Sequence, residues 1–225
     1  AQTDFSSYIA PVINSGADVL VLNHYGGNMV NSLTNAVQFG LREKQVNGKN
    51  FEIVVPLYSE LMAKGAGKNI AGIVGSQNWD WKLEDEGTKA FVQSFGTKYG
   101  FPPSQAAQTC YAQTLLYADA VERAGSFDPC AVGEALVAGD SSLPGISSDS
   151  NKGFLFDGLG NGQTLYRSAD HQCFKDVLVV RGAENPSDEF HLVEIVEVTP
   201  VAQVWYEPDH PMFAGGELGQ CNPGA

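Results

Sequence analysis

At 225 residues the chain has room for one or two domains, and 43% hydrophobic with 17% charged residues is an ordinary globular composition. Thirteen Lys+Arg against 26 Asp+Glu give a formal net charge of −13, which argues against nucleic acid or an anionic membrane surface as a partner. No apolar run approaches the roughly 20 residues that a membrane helix needs.

Phe5, Tyr8, Ile9, Val12 and Ile13 recur at helical spacing, with Thr3 or Asp4 as N-cap and Pro11 predicting a kink or a late start. Ser15-Gly16 ends that helix. Val19-Leu20-Val21-Leu22 is a continuous apolar run, the pattern of a strand buried on both faces of a parallel sheet. Gly26-Gly27 turn the chain into a second helix with Met29, Leu33, Ala36 and Val37 on its inner face and Gly40 as its stop. Residues 51–56 form the next strand, 59–66 a short helix and 70–74 a third strand. Phe91, Phe95 and Tyr99 mark another helix, stopped by Gly100. Phe101-Pro102-Pro103 is the best crossover between structural units. Ser104 caps a long helix running to about Arg123, lined by Ala107, Tyr111, Leu115, Ala118 and Val121 and closed by Gly125. Asp128-Pro129 opens a short helix over 130–137. Residues 139–162, rich in Gly, Ser and Asp, read as a turn-rich connection. Two strands over 175–181 and 190–198 follow, and a Pro/Gly-rich tail from 208 drapes over the surface. Alternating helical and strand periods make this an α/β protein.

In an open parallel sheet, ligands bind beyond the carboxyl ends of the strands. Two such ends carry polar loops here, Asn23-His24-Tyr25-Gly26-Gly27 and Leu57-Tyr58-Ser59-Glu60, and these are read as half of a small-molecule site. The third strand leads to Gln77-Asn78-Trp79-Asp80-Trp81, where at most one tryptophan faces a cleft. Catalytic signatures are absent: there is no Gly-x-Ser-x-Gly elbow and no His-Glu-x-x-His, and His24, His171, His191 and His210 share no ligand spacing. Glu60 and Asp80 as a glycosidase pair is a weak alternative. Asp149, Asn151 and Asp157 lack the spacing of a calcium loop, and Gly158, Gly160 and Gly162 make no phosphate cradle. The four cysteines, Cys110, Cys130, Cys173 and Cys221, form no Cys-x-x-Cys pair.

An ordered series of short segments carries a resemblance. Asp4-Phe5-Ser6 followed by Gly16-Ala17-Asp18-Val19, then Phe39-Gly40-Leu41, Asn69-Ile70-Ala71-Gly72, residues 91–100 with a Tyr-Gly-x-x-Pro ending, 111–125 and, weakly, Asp170-His171-Gln172 resemble branched-chain amino-acid ABC transporter substrate-binding proteins. These are type I periplasmic binding proteins of the leucine/isoleucine/valine class. The likeness covers most of the chain to about Glu207.

The resemblance implies an α/β fold of two lobes with a ligand trapped between them, from which this sequence lacks the N-terminal half. Residues 1–103 would be the second lobe, 104–172 a return to the first, and 173–225 a second return to the C-terminal lobe plus the extended tail. It further implies a non-enzymatic, periplasmic component of an ABC importer that uses no cofactor or metal. Its partners would be a small-molecule ligand, the transporter's membrane subunits and the missing N-terminal portion, possibly as a separate chain. Glu60 matches the acidic residue that holds a ligand's amino group, and Tyr25, or His24 if the register shifts, matches the family's loop aromatic. Tyr58 and Trp79 complete the expected site. The ligand would be a branched-chain amino acid, or alternatively an aromatic acid, urea or a short amide. A ligand-sensing domain of the same fold is the runner-up, and an enzyme of another α/β class the third reading. In an oxidising compartment the expected disulfides are Cys110–Cys130 and Cys173–Cys221.

Overall fold

The computed structural model describes residues 2–137, 171–204, 206 and 210, and the backbone alone of 146–149, 153–156 and 164–166. In chain order its elements are α1 (Ser6–Asn14), β1 (Val19–Val21), α2 (Gly27–Gln38), β2 (Gln45–Val46), β3 (Lys49–Asn50), β4 (Glu52–Val55), α3 (Glu60–Ala66), a 3-10 turn (Gly67–Ile70) and β5 (Val74–Gln77). There follow α4 (Glu86–Tyr99), α5 (Gln105–Ala124), α6 (Pro129–Val137), β6 (Ile146–Asp149), β7 (Gly153–Phe156), β8 (Thr164–Tyr166), β9 (Cys173–Phe174), β10 (Val177–Gly182), β11 (Val193–Thr199) and α7 (Val201–Val204). They form two compact units: 1–77 with 178–198, and 78–177 with 199–225.

The first unit is built on a five-stranded sheet in the order β1-β4-β5-β10-β11. β1 pairs parallel with β4 and β4 parallel with β5, while β10 runs antiparallel to β5. Met29, Leu33 and Ala36 of α2, Ile53 and Val55 of β4, and Leu178 and Val180 of β10 are fully or nearly fully buried and belong to the unit's core. β1 differs from the expectation of a strand buried on both faces: Val19 and Val21 are 43% and 50% exposed. It is an edge strand, so only one of its sides gains a covering neighbour. A hairpin that hydrophobic periodicity does not reveal joins β2 to β3. Asn47 and Gly48 there both have positive φ (51° and 77°), the geometry of a tight Asn-Gly turn. The third strand begins later than expected, at Val74, because Gly67–Ile70 form a 3-10 turn and Gly72, at φ 74°, redirects the chain.

In the second unit the helix boundaries follow the sequence closely. Ser104 Oγ accepts from the Ala107 amide at 3.3 Å, and Gly125 ends α5 in the left-handed conformation. Asp128 Oδ1 accepts from the amides of Cys130 and Ala131, opening α6. The inner face of α5 is not the expected one. Gln105, Gln108, Ala112, Leu116, Asp119 and Ala120 are buried, whereas Tyr111 and Ala118 are exposed. Polar residues share the true inner row with Ala112, Leu116 and Ala120, and Asp119 is stabilised there by Arg123 Nε at 2.9 Å. Tyr111 instead stacks on Phe91 of α4 at 4.4 Å between centroids. Residues 139–162 are not merely a connection: β6, β7, β8 and β9 form a four-stranded antiparallel sheet whose first two members lie there. Asn151, Asp157, Gly158, Gly160, Gly162, Asp170, Cys221 and the tail from 211 lie outside the described residues.

The expected cysteine pairing does not form. Cys110 and Cys173 are exposed thiols. Cys110 falls on the outward face of α5, so the helix presents it to solvent. Cys130 is disulfide-bonded, to neither of them.

Candidate functional site

The parallel strands β1 and β4 each end in one of the two polar loops of the first unit. After β1 the Leu22 amide still bonds to the Val54 carbonyl at 2.8 Å, and the chain then leaves the sheet through Asn23, His24 and Tyr25. Gly26 (φ 57°, ψ −136°) makes the turn into α2. His24 is held on two sides. Its ring lies 4.9 Å from that of Phe5, and its Nδ1 is 3.0 Å from Ser32 Oγ. Ser32 donates its own hydroxyl hydrogen to the Met29 carbonyl at 3.1 Å, which fixes the hydroxyl beside the imidazole. Tyr25 is 55% exposed and presents its ring to solvent.

The loop after β4 divides its residues between core and helix end. The Tyr58 amide bonds to the Ser76 carbonyl at 3.0 Å, which turns the ring inward, where it is fully buried. Burial drives its phenol far above the ordinary tyrosine range. Ser59 is the N-cap of α3, its Oγ accepting from the Met62 amide at 3.2 Å. Glu60 is thereby the first residue of α3, where the helix dipole favours a carboxylate. Both its carboxylate oxygens are withdrawn from water.

The loop after β5 enters the second unit at Asn78. Trp79 is fully buried there: its indole Nε1 donates to Thr88 Oγ1 at 2.9 Å and its ring meets the Phe91 ring edge-on at 5.9 Å. Asp80, also fully buried, accepts from the Lys82 amide at 2.9 Å and from Lys82 Nζ at 3.0 Å. Among the described residues no cluster of three His, Cys, Asp or Glu side chains is placed to hold a metal ion. No helix there is long and apolar enough to cross a membrane.

Gln77 is not among the expected site residues. It ends β5 at 2% exposure, and neither its Oε1 nor its Nε2 has a hydrogen-bond partner among the described residues. A buried amide without partners at the carboxyl end of a parallel strand is the kind of group a ligand or water completes. The only sequence clue was a polar residue closing an apolar strand.

The family model described as periplasmic binding protein matches residues 1–185. The chain belongs to the periplasmic binding protein family, and its fold is the type I form. A periplasmic binding protein from Burkholderia mallei superposes with a TM-score of 0.71 at 22% identity, over 92% of this chain and 49% of that one. A branched-chain amino acid ABC transporter periplasmic ligand-binding protein from Burkholderia xenovorans gives 0.66 at 24% identity, over 90% and 49%. A solute-binding protein of an ABC transporter from Rhodopseudomonas palustris, in complex with p-hydroxybenzoic acid, gives 0.67 at 17% identity, over 89% and 50%. The chain thus spans about half the length of the solved structures it matches. Comparison with curated proteins finds no match.

Proposed function

We propose that the chain is the ligand-capturing part of a periplasmic solute-binding component of an ABC importer, and that its ligand is a small amphipathic molecule with an ammonium group, such as a branched-chain amino acid. The observation that carries this is the placement of Glu60, a carboxylate out of contact with water at the carboxyl end of β4. A ligand ammonium taken out of water costs several kcal/mol unless it is paired. Glu60 offsets that cost, while Tyr25 covers the apolar part of the ligand and Gln77 offers an amide with both ends unspent. His24 positions the Tyr25 loop through Ser32.

In this reading residues 1–103 are the second lobe, 104–172 a return to the first and 173–225 a second return. The remaining portion of the two-lobed fold, in the same or a separate polypeptide, completes the site, and the importer's membrane subunits receive the ligand. The chain's coverage of about half of each matched structure supports it. The complex of the Rhodopseudomonas protein with p-hydroxybenzoic acid favours one second reading, an aromatic acid as ligand. Calorimetry on the complete protein with leucine and with p-hydroxybenzoate separates the two. Heat with leucine alone supports the first reading, and heat with the acid alone the second.

A further inference from the structure

A cation of the chain's own lies one helical turn from Glu60. Lys64 stands four residues further along α3, and Glu followed by Lys at that spacing is the order in which such side chains pair best on a helix. An ammonium settled on Glu60 would take up the charge that a ligand ammonium needs. Lys64 is engaged elsewhere. Its Nζ donates to Glu189 Oε2 at 2.6 Å and lies 5.5 Å from the centroid of the Phe190 ring, within reach of a cation–π contact.

Both of these partners come from the loop between β10 and β11. At its base the Ala183 amide bonds to the Leu192 carbonyl at 2.9 Å. Within it Asp188 Oδ1 accepts from the amides of Phe190 and His191 at 2.8 and 2.9 Å, and His191 Nδ1 lies 2.8 Å from Asp188 Oδ2. The loop therefore presents Glu189 and Phe190 to α3 on a braced backbone. The side chains of Lys64 and Glu189 are 54% and 64% exposed, and an ion pair so exposed adds little to stability. Its consequence lies in where it holds the lysine charge.

We infer that Glu189 is a positioning residue for the Glu60 site: it neutralises Lys64 and holds it away from Glu60, so that the carboxylate stays selective for a ligand ammonium. This role rests on Glu60 being the group that receives the ligand. A ligand without a positive charge gains nothing from it.

Calorimetry with leucine on the complete protein reads the effect. Glu189→Gln frees Lys64 to compete for Glu60, and leucine binds about threefold more weakly, within the span that exposed ion pairs carry. Glu189→Gln with Lys64→Met removes the competing ammonium and returns the affinity to that of the parent. In a Glu60→Gln background Glu189→Gln has no further effect, because the carboxylate that Lys64 would compete for is gone, and such non-additivity marks coupled residues. A purely structural role for Glu189 produces neither the rescue nor the coupling. Leucine affinity unchanged by Glu189→Gln, a loss that Lys64→Met does not reverse, or an equal loss in the Glu60→Gln background each overturn the inference. If Glu60→Gln weakens leucine binding and Glu189→Gln does not, the role of Glu189 alone falls. If Glu60→Gln leaves leucine binding unchanged, the proposed role of Glu60 falls and that of Glu189 with it.

Discussion

The Tyr58 ring rests on the bare α-carbon of Gly75. A Cβ built at Gly75 would lie 2.7 Å from Tyr58 Cδ2 and 2.2 Å from the Val55 carbonyl oxygen on the neighbouring strand. Gly182 on β10 makes the second half of the seat, since a Cβ there would fall 2.9 Å from the Tyr58 hydroxyl and 1.9 Å from the Ile70 carbonyl oxygen. Two glycines on adjacent strands thus make room for one aromatic side chain. Backbone atoms cannot swing away as a flexible side chain can, so Gly75→Ala must move a strand. The expected loss is about 1–3 kcal/mol, the usual cost of overpacking, read as a lower urea midpoint with little change in slope. An unchanged midpoint would show that the sheet opens at no cost and that Tyr58 is not seated as described.

The same burial makes Tyr58 a marker of folding in alkali. Its folded pKa is raised above the unfolded value of 10.0 by desolvation. The protonated phenol therefore contributes stability in full below pH 10.0, and that contribution is lost as pH rises above it, because only the unfolded chain gives up the proton. Ultraviolet difference titration should show a tyrosine that ionises only together with unfolding, and Tyr58→Phe should remove that step. A Tyr58 that titrates reversibly while the far-ultraviolet dichroism stays native would contradict its burial.

The contrast between Tyr58 and α5 shows what the sequence carried and what it did not. Caps and stops were legible because they are local: Ser59, Ser104, Asp128, Gly100 and Gly125 each satisfy or redirect backbone within a turn of themselves. The inner face of α5 was misread by one position. Tyr111, Leu115 and Ala118 are the more apolar row, yet tertiary partners such as the Asp119–Arg123 pair let polar residues lie inside. β1 reads as a core strand because its four apolar residues say nothing of how many neighbours the sheet supplies. β6 and β7 were hidden because Gly and Ser weaken strand propensity without forbidding pairing. Of the site, the positions of the two loops were legible and the inward turn of Tyr58 was not, because it depends on glycines 17 and 124 residues away, at 75 and 182.

Asp80 and Lys82 supply a stability test in the second unit. The Asp80 side chain is fully buried and Lys82 is 22% exposed, with 3.0 Å between Oδ2 and Nζ. Asp80→Ala leaves the Lys82 amide and ammonium without that acceptor in a largely dry setting. The expected cost is about 1–3 kcal/mol, that of an unmet buried donor, as a lowered thermal midpoint. A midpoint within experimental error of the parent would show that water takes over the acceptor role.

The cysteines provide a chemical check of the fold. Cys110 and Cys173 are exposed thiols, so both should be alkylated in the native chain without reductant. Protection of either until reductant is added would restore one of the disulfides that compartment reasoning suggests and the structure does not contain.

Glu60 decides the proposed ligand class. Its carboxylate stands at the first turn of α3 with both oxygens out of water, and a charge there is favoured by the helix dipole whatever the ligand. Stability alone therefore says little, and the measurement must be of binding. If the ligand presents an ammonium, Glu60→Gln keeps the shape and a hydrogen-bonding oxygen but removes the charge, and leucine affinity should fall by roughly an order of magnitude or more, the difference between a charge-assisted and a neutral hydrogen bond. If the ligand is an anionic aromatic acid, the same substitution relieves a repulsion and p-hydroxybenzoate should bind as well or better. Tyr25→Ala in parallel should weaken either ligand, because the exposed ring contributes apolar cover without regard to charge. Calorimetry on the complete protein gives both affinities for each variant. Leucine affinity unchanged by Glu60→Gln and by Tyr25→Ala alike would remove both loops from the site.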